Sequence, residues 1–411
     1  MKSATFAMRF LQGFSFKLLF LVNCTCAVPV SLVSVHRAEG QAVKANIIRV
    51  GPGERILLPS SAAKKAADGD TVEIRAADYR GDVAVWRQNN LTIRGIGGRP
   101  RFIADGIHVQ GKGIWVTQGK NITIENIEFS GAKVPDRNGA AIRHQGEGLT
   151  IRHCYFHDNE NGIMAANNPK DVILIEHTEF AGNGIGKEGS THNVYIGKAG
   201  RLIVRFSYIH KVRHGHQIVS MARDNEILYN RIMDEKSGNG SYQIDFPAGG
   251  NAVIMGNVIQ QGRASENKKM VSFGESGLAY PENELTVINN TFVNDCFSGT
   301  FVYTEMSLGV KLINNIFFGR GSISNRAVSQ RGNIVPGNSL LSYLFPEKSE
   351  FMEPAEYNYS LRQGSKAIDG AVPFAVKPEY EYAHRAEKTG RRIVGKLDAG
   401  AFEFIRPSRE N

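Results

Sequence analysis

The chain has 411 residues, 42% of them hydrophobic and 22% charged, which excludes a disordered polymer and leaves two ordinary domains or one long repeat domain. Its formal charge of +9 suits an anionic partner. No helix-turn-helix pattern, zinc-finger spacing or aromatic RNA-binding motif occurs, so nucleic acid is set aside and an acidic polysaccharide is the expected partner.

Residues 1–42 read as an export leader. Lys2, Arg9 and Lys17 precede the apolar run LLFLVNCTCAVPVSLVSV (18–35), which is followed by small residues. A cleaved signal is expected, and with it a secreted or periplasmic location. The rival is an uncleaved anchor, the one route to a membrane, since the run is at the short end for a span. In PSSAAKKAADGDTVEI (59–74), Ser60 or Ser61 caps a short helix over AAKKAAD, Gly69 stops it, and TVEI opens a strand. Such a helix would plug the exposed end of a repeat array.

From residue 90 one unit recurs: NLTIRGIGG (90–98), ITIENIEF (122–129), LTIRHCYF (149–156), ILIEHTEF (173–180) and LIVRFSYI (202–209). EILYNRI (226–232), AVIMGNVI (252–259), LTVINNTF (285–292) and KLINNIFF (311–318) continue it. Each alternates apolar and polar residues, turns, and adds two more apolar positions. The units are too closely spaced for a strand–helix–strand crossover of ~30 residues, and no stretch keeps a 3.6-residue period. Three short parallel strands per coil fit instead. Asn230, Asn257, Asn290 and Asn315 hold one phase, each two residues before Ile232, Ile259, Phe292 or Phe317. Asparagine suits a tight turn there, and stacked amides can bond from coil to coil. Cys154 and Cys296 would lie about five repeats, or ~24 Å, apart in such a stack, too far for a disulfide within one chain.

These units resemble the right-handed parallel β-helix repeats of the pectin-lyase-like superfamily over roughly residues 68–335, with DGDTVEI entering and LDAGAFEF (397–404) closing. The resemblance implies an all-β, right-handed parallel β-helix of about nine coils, with a short N-terminal capping helix and an irregular C-terminal tail. The expected divisions are a leader (1–42), a cap (43–77), the β-helix (78–335) and a tail (336–411) packed along it. The superfamily holds polysaccharide lyases, galacturonan hydrolases, mannuronan epimerases, pectin esterases and non-enzymatic adhesins, so the fold does not choose a reaction.

Chemistry-bearing residues gather between His192 and Lys269. The segments HNVYIG, GHQIVSMAR, SYQIDFPAGG and KMVSFGES register on Val194, Ile218, Ile244 and Val271. Two places before each stand His192, His216, Tyr242 and Lys269; one place after stand Tyr195, Val219, Asp245 and Ser272. Neighbours in a column would be only ~4.8 Å apart. Uronate β-elimination needs a base, a cation on the sugar carboxylate and an acid for the leaving oxygen. The row offers His192 or His216 as base, Tyr242 as acid, and Arg223 or Lys269 as clamp. Asp245 orients an imidazole or binds a sugar hydroxyl, and Tyr195 and Tyr303 carry sugar rings. Arg213, His214 and Glu275 complete the substrate-binding set, although a solvated basic loop is the ordinary fate of a run such as HKVRHGH.

No metal ligand is assigned. His192 and His216 lack further zinc ligands; calcium is the one cofactor left open, although it needs clustered carboxylates and Asp224, Asp245 and Glu275 are scattered. The aspartate pairs of the galacturonan hydrolases and the Asp-Pro-His-Asp motif of the mannuronan epimerases are not found. The nearest analogy is to alginate and chondroitin lyases, which use a Lys/Arg pair on adjacent coils; Lys269 and Arg223 do not map cleanly onto that pair. A monomeric lyase of an acidic polysaccharide is therefore expected. A hydrolase, a C5-epimerase and a non-catalytic binding protein are its rivals.

Overall fold

A computed structural model describes residues 46–185, 191–335 and 350–405. The expected leader and the start of the expected tail lie outside these residues. The chain winds through three parallel sheets in turn, one strand of each per coil. The first sheet has 12 strands, from Ile47–Val50 to Ser329–Arg331; the second and third have 10 each. The result is about ten turns, one more than the repeat count predicts.

Alternation drives this winding. Along the first sheet Ile93, Ile124, Ile151, Ile175, Val204, Ile227, Ile254, Val287 and Leu312 occupy one register position, all fully buried. β-Branched residues dominate because each must pack between coils above and below on a pleated, buried surface. In the second sheet Phe102, Phe129, Phe156 and Phe180 stack at centroid separations of 5.5, 5.3 and 4.8 Å. On the outer face of the first sheet the charges alternate by coil, Arg49–Glu73–Arg94–Glu125–Arg152–Glu176–Arg205, so that face neutralises itself.

Two buried amide ladders hold the corners. Asn230 donates to Asn257 (3.0 Å), Asn257 to Asn290 (2.9 Å) and Asn290 to Asn315 (3.0 Å), and the ladder runs on to Asn333 (3.1 Å). The second ladder lies between the second and third sheets and backs the site described below.

The capping helix is Pro59–Ala63, earlier and shorter than AAKKAAD. Leu58 is its N-cap and makes no side-chain cap bond; the Asp82 carboxylate accepts from the backbone N–H of Ser60 in the first turn (3.0 Å). Pro59 takes the first helical position, where its fixed φ and missing N–H cost nothing. No helix among the described residues is long and apolar enough to cross a membrane.

At the other end, Phe351–Glu353 pairs antiparallel with Asn358–Leu361, and Tyr380–Ala383 with Glu387–Gly390. Phe351, Tyr359, Leu361 and Tyr382 pack on Tyr208, Met233, Val258, Val293 and Ile316 of the second sheet. Arg385 joins them by pairing with Glu179, which also accepts from His210 at 3.1 Å. The described tail thus covers the second sheet and its corner with the first, leaving the third sheet to carry the outward row.

Candidate active site on the third sheet

The expected register is the observed one. Val194, Ile218, Ile244, Val271 and Val302 are paired in series and fully buried, and Tyr195, Val219, Asp245, Ser272 and Tyr303 follow one place on, facing out. The residues just before the inward aliphatics, Asn193, Gln217 and Gln243, point inward as buried amides. Asn183 donates to Asn193 (2.7 Å), Asn193 to Gln217 (2.6 Å), and Gln217 and Gln243 to the two oxygens of Asp234 (3.1 and 2.8 Å). Burial raises the Asp234 carboxyl to about 6 despite these donors. With each amide turned in and fixed, the residue preceding it must turn out. Those residues are His192, His216 and Tyr242.

Their rings meet across coils, tilted at 46° between the two imidazoles and edge to face at 83° between His216 and Tyr242. His192 and His216 are 4.9 Å apart by centroid, His216 and Tyr242 4.7 Å, and His192 rests on Tyr195 at 5.4 Å. The backbone N–H of His216 donates to Nδ1 of His192 (3.2 Å), and that of Tyr242 to Nδ1 of His216 (3.4 Å). An Nδ1 that accepts cannot carry the proton, so each neutral ring is protonated at Nε2. Burial pushes the His192 imidazole well below its ordinary range and His216 down to about 4.

Asp245 lies beneath this row, its Oδ2 3.9 Å from Nε2 of His216 and its Oδ1 buried without a partner. Burial raises its carboxyl to about 7, Glu275 adding to the shift while Ser272 and Lys269 oppose it. Glu275 behaves oppositely. Burial pushes it up, but donation from Lys269, Tyr242 (2.8 Å) and Ser272 (3.1 Å) outweighs that and holds it below the usual carboxylate range. Burial and the same carboxylate push the Tyr242 phenol up, so it stays a donor. The Lys269 ammonium pairs with Glu275 and sits 3.7 Å above the Tyr303 ring.

Residues 83–186 match the model of the right-handed β-helix region family. The crystal structure of pectate lyase Pel9A is similar with a TM-score of 0.56, at 13% identity over 89% of this chain and 98% of that one. The chain is a right-handed parallel β-helix. An alginate lyase from Paenibacillus sp. strain FPU-7 is similar at 14% identity over 70% of this chain and 97% of that one (TM-score 0.47). The A-module of the Azotobacter vinelandii mannuronan C-5 epimerase AlgE6 is similar at 13% identity over 68% and 93% (TM-score 0.38). No curated protein sequence matches the chain. At such identities a likeness carries the fold and not the reaction.

The β-helix brings together His192, His216, Tyr242, Lys269, Asp245, Glu275, Tyr195 and Tyr303. Three expected residues stand elsewhere. Arg223 follows the strand Ile218–Ser220, at the opposite edge from His216, with its guanidinium on Asp224 (2.8 Å). Arg213 pairs with Asp158 (3.3 Å) and His214 with Glu266, both on an exposed corner. Asp224 is held by Arg223 and Asn251, away from Asp245. Among the described residues, metal-type side chains converge at His153, His177 and Glu387, on a corner between the first and second sheets.

Two features escaped the sequence reading. One is the inward amide column, written as HNV, HQI and YQI with the amide always second. The other is Arg143, which stands two coils before Tyr195 in the same outward column.

Proposed function

We propose that this exported β-helix is a polysaccharide lyase that cleaves a uronate-containing polymer by β-elimination on its third sheet. The observation that carries the reading is Asp245, a carboxyl raised to about 7 on a sheet face, next to neutral imidazole and beneath Tyr242 and Lys269. A base poised near neutral pH is what proton abstraction beside a sugar carboxylate requires. The imidazoles, which residue type alone suggests as bases, have their Nδ1 lone pairs engaged and Nε2 protonated, and so serve better as donors. In this reading Asp245 removes the proton, and the Lys269 ammonium exchanges Glu275 for the substrate carboxylate. Nε2–H of His216 faces the developing enolate-like charge, and Tyr242 protonates the leaving oxygen. The rings of Tyr195 and Tyr303 support neighbouring sugars. The chain works as a monomer outside the cytoplasm, its leader removed. The net positive charge and an architecture shared with a pectate lyase are compatible with this assignment.

A second reading has its own support. Asp245 raised and Glu275 lowered are two carboxyls driven apart in pKa by their surroundings, the pattern of an acid and its partner in glycoside hydrolysis. Incubating the leaderless protein with pectate, alginate and glycosaminoglycans separates the two. New ultraviolet absorbance from a conjugated double bond supports the lyase; new reducing ends without absorbance support the hydrolase; neither supports a binding protein.

A further inference from the structure

On the first sheet, basic side chains are answered by acids in register: Glu73 accepts from Arg49 (3.2 Å) and Arg94 (2.7 Å), and Glu176 from Arg152 and Arg205. Arg143 on the third sheet is not answered in this way. It projects outward from the strand Ala140–His144, paired in register with Val116 on one side and Met164 on the other. Among the described residues no carboxylate lies within ion-pair distance of it. One terminal nitrogen donates to the Asn138 carbonyl (2.7 Å), while Nε is buried with no partner. Burial lowers its pKa, with Tyr195 opposing only in part.

A second orphan lies beside it. The side-chain oxygen of Asn138, whose carbonyl already holds Arg143, is also buried without a partner. An unanswered cationic donor and an unanswered acceptor on two linked residues each cost free energy in the free protein. A uronate sugar carries the complementary pair, a carboxylate and adjacent hydroxyls. The outward column runs Arg143, Met164, Tyr195, Val219, Asp245, so Arg143 stands four coils, or ~19 Å, from the proposed base.

We infer that Arg143 and Asn138 form a distal subsite that grips the carboxylate and a hydroxyl of a uronate several units away from the bond being cut. The acidic chain then lies along the β-helix axis, across the strands, with the Tyr195 ring between the two ends. This inference rests on the third sheet being an acidic-polysaccharide site. Arg143 is a binding residue in it and takes no part in the chemistry.

The test compares the full-length wild type with Arg143→Gln and Arg143→Lys on length-graded oligomers of galacturonate and of mannuronate and guluronate. Calorimetry gives Kd, and absorbance gives KM and kcat. Arg143→Gln weakens binding of long oligomers about tenfold or more, the loss expected for a charge-assisted hydrogen bond. It leaves kcat at saturation and the binding of the shortest oligomers unchanged, and Arg143→Lys keeps part of the affinity. Because a buried unpaired charge is removed, the melting temperature of the free protein holds or rises. Unchanged affinity for long oligomers overturns the inference, as does an equal loss on short and long ones together with a lower melting temperature. A wild type that binds through Arg143 but forms no unsaturated product fails the lyase reading and keeps the subsite. A wild type that binds no uronate oligomer overturns both.

Discussion

The backbone N–H of His216 donates to Nδ1 of His192 one coil earlier, at 3.2 Å. Tyr242 repeats the bond to Nδ1 of His216. The chain thereby uses its own repeat to set the tautomer of each ring, spending on structure the lone pair that a general base would need.

Nitrogen-15 NMR should therefore find both imidazoles neutral and protonated at Nε2 at pH 7. The His216 value, near 4, lies below that of an unfolded histidine. Its contribution to stability is full above about pH 6.5 and is lost as the pH falls through about 4. His216→Gln should flatten that part of the acid limb in urea unfolding. A His216 that titrates near 6.5 would contradict the ladder.

Asp245 gives the opposite dependence. Its folded pKa of about 7 is above that of an unfolded aspartate, so the stability it contributes is full below about pH 4 and is lost as the pH rises through 7. Asp245→Asn should leave the melting temperature nearly unchanged at pH 4 and raise it at pH 8. A lower melting temperature at pH 8 would mean that Ser272 and Lys269 hold the charged carboxylate more strongly than burial disfavours it.

Tyr242→Phe removes one hydroxyl and leaves the edge-on packing with His216 in place. Product formation should fall by about 10²–10⁴, the usual scale for a positioned acid, with the melting temperature little changed. Full activity in the phenylalanine variant assigns the leaving-group proton to another donor.

Gln217→Leu tests the amide ladder behind the row. It strands the Asn193 N–H that reached Gln217 and takes one donor each from Asp234 and from the Met233 carbonyl, which keeps the Lys211 N–H (3.0 Å). The orphaned N–H costs about 1–3 kcal/mol and the two weakened acceptors add to it, so the urea midpoint should drop. A neutral outcome would show that the ladder is not needed to hold the coils.

Much of this was legible in the chain because a coil is a translation: residues about two dozen apart become neighbours, and any column can be read by register. The alternation in LTIRHCYF and its relatives marks the first and second sheets, and Val194, Ile218 and Ile244 align the third. Registering strands also places Tyr195, Asp245 and Tyr303 on one face. It does not say how far a long side chain reaches. Lys269 and Tyr242 both extend to Glu275, a residue outside their column, whereas Arg223 turns to the adjacent Asp224. Nor does residue type alone report a tautomer or a raised carboxyl. Those depend on the backbone donor one coil on and on burial, which exist only once the coils are stacked.

The most direct test is the pH–rate profile for unsaturated product on a uronate polymer, wild type against Asp245→Asn. Because the base acts as its carboxylate, kcat/KM should climb with pH through a value near 7, and the asparagine variant should lose the activity while staying folded. A profile flat from pH 5 to 8, or an asparagine variant as active as the wild type, would remove Asp245 from the centre of the reaction.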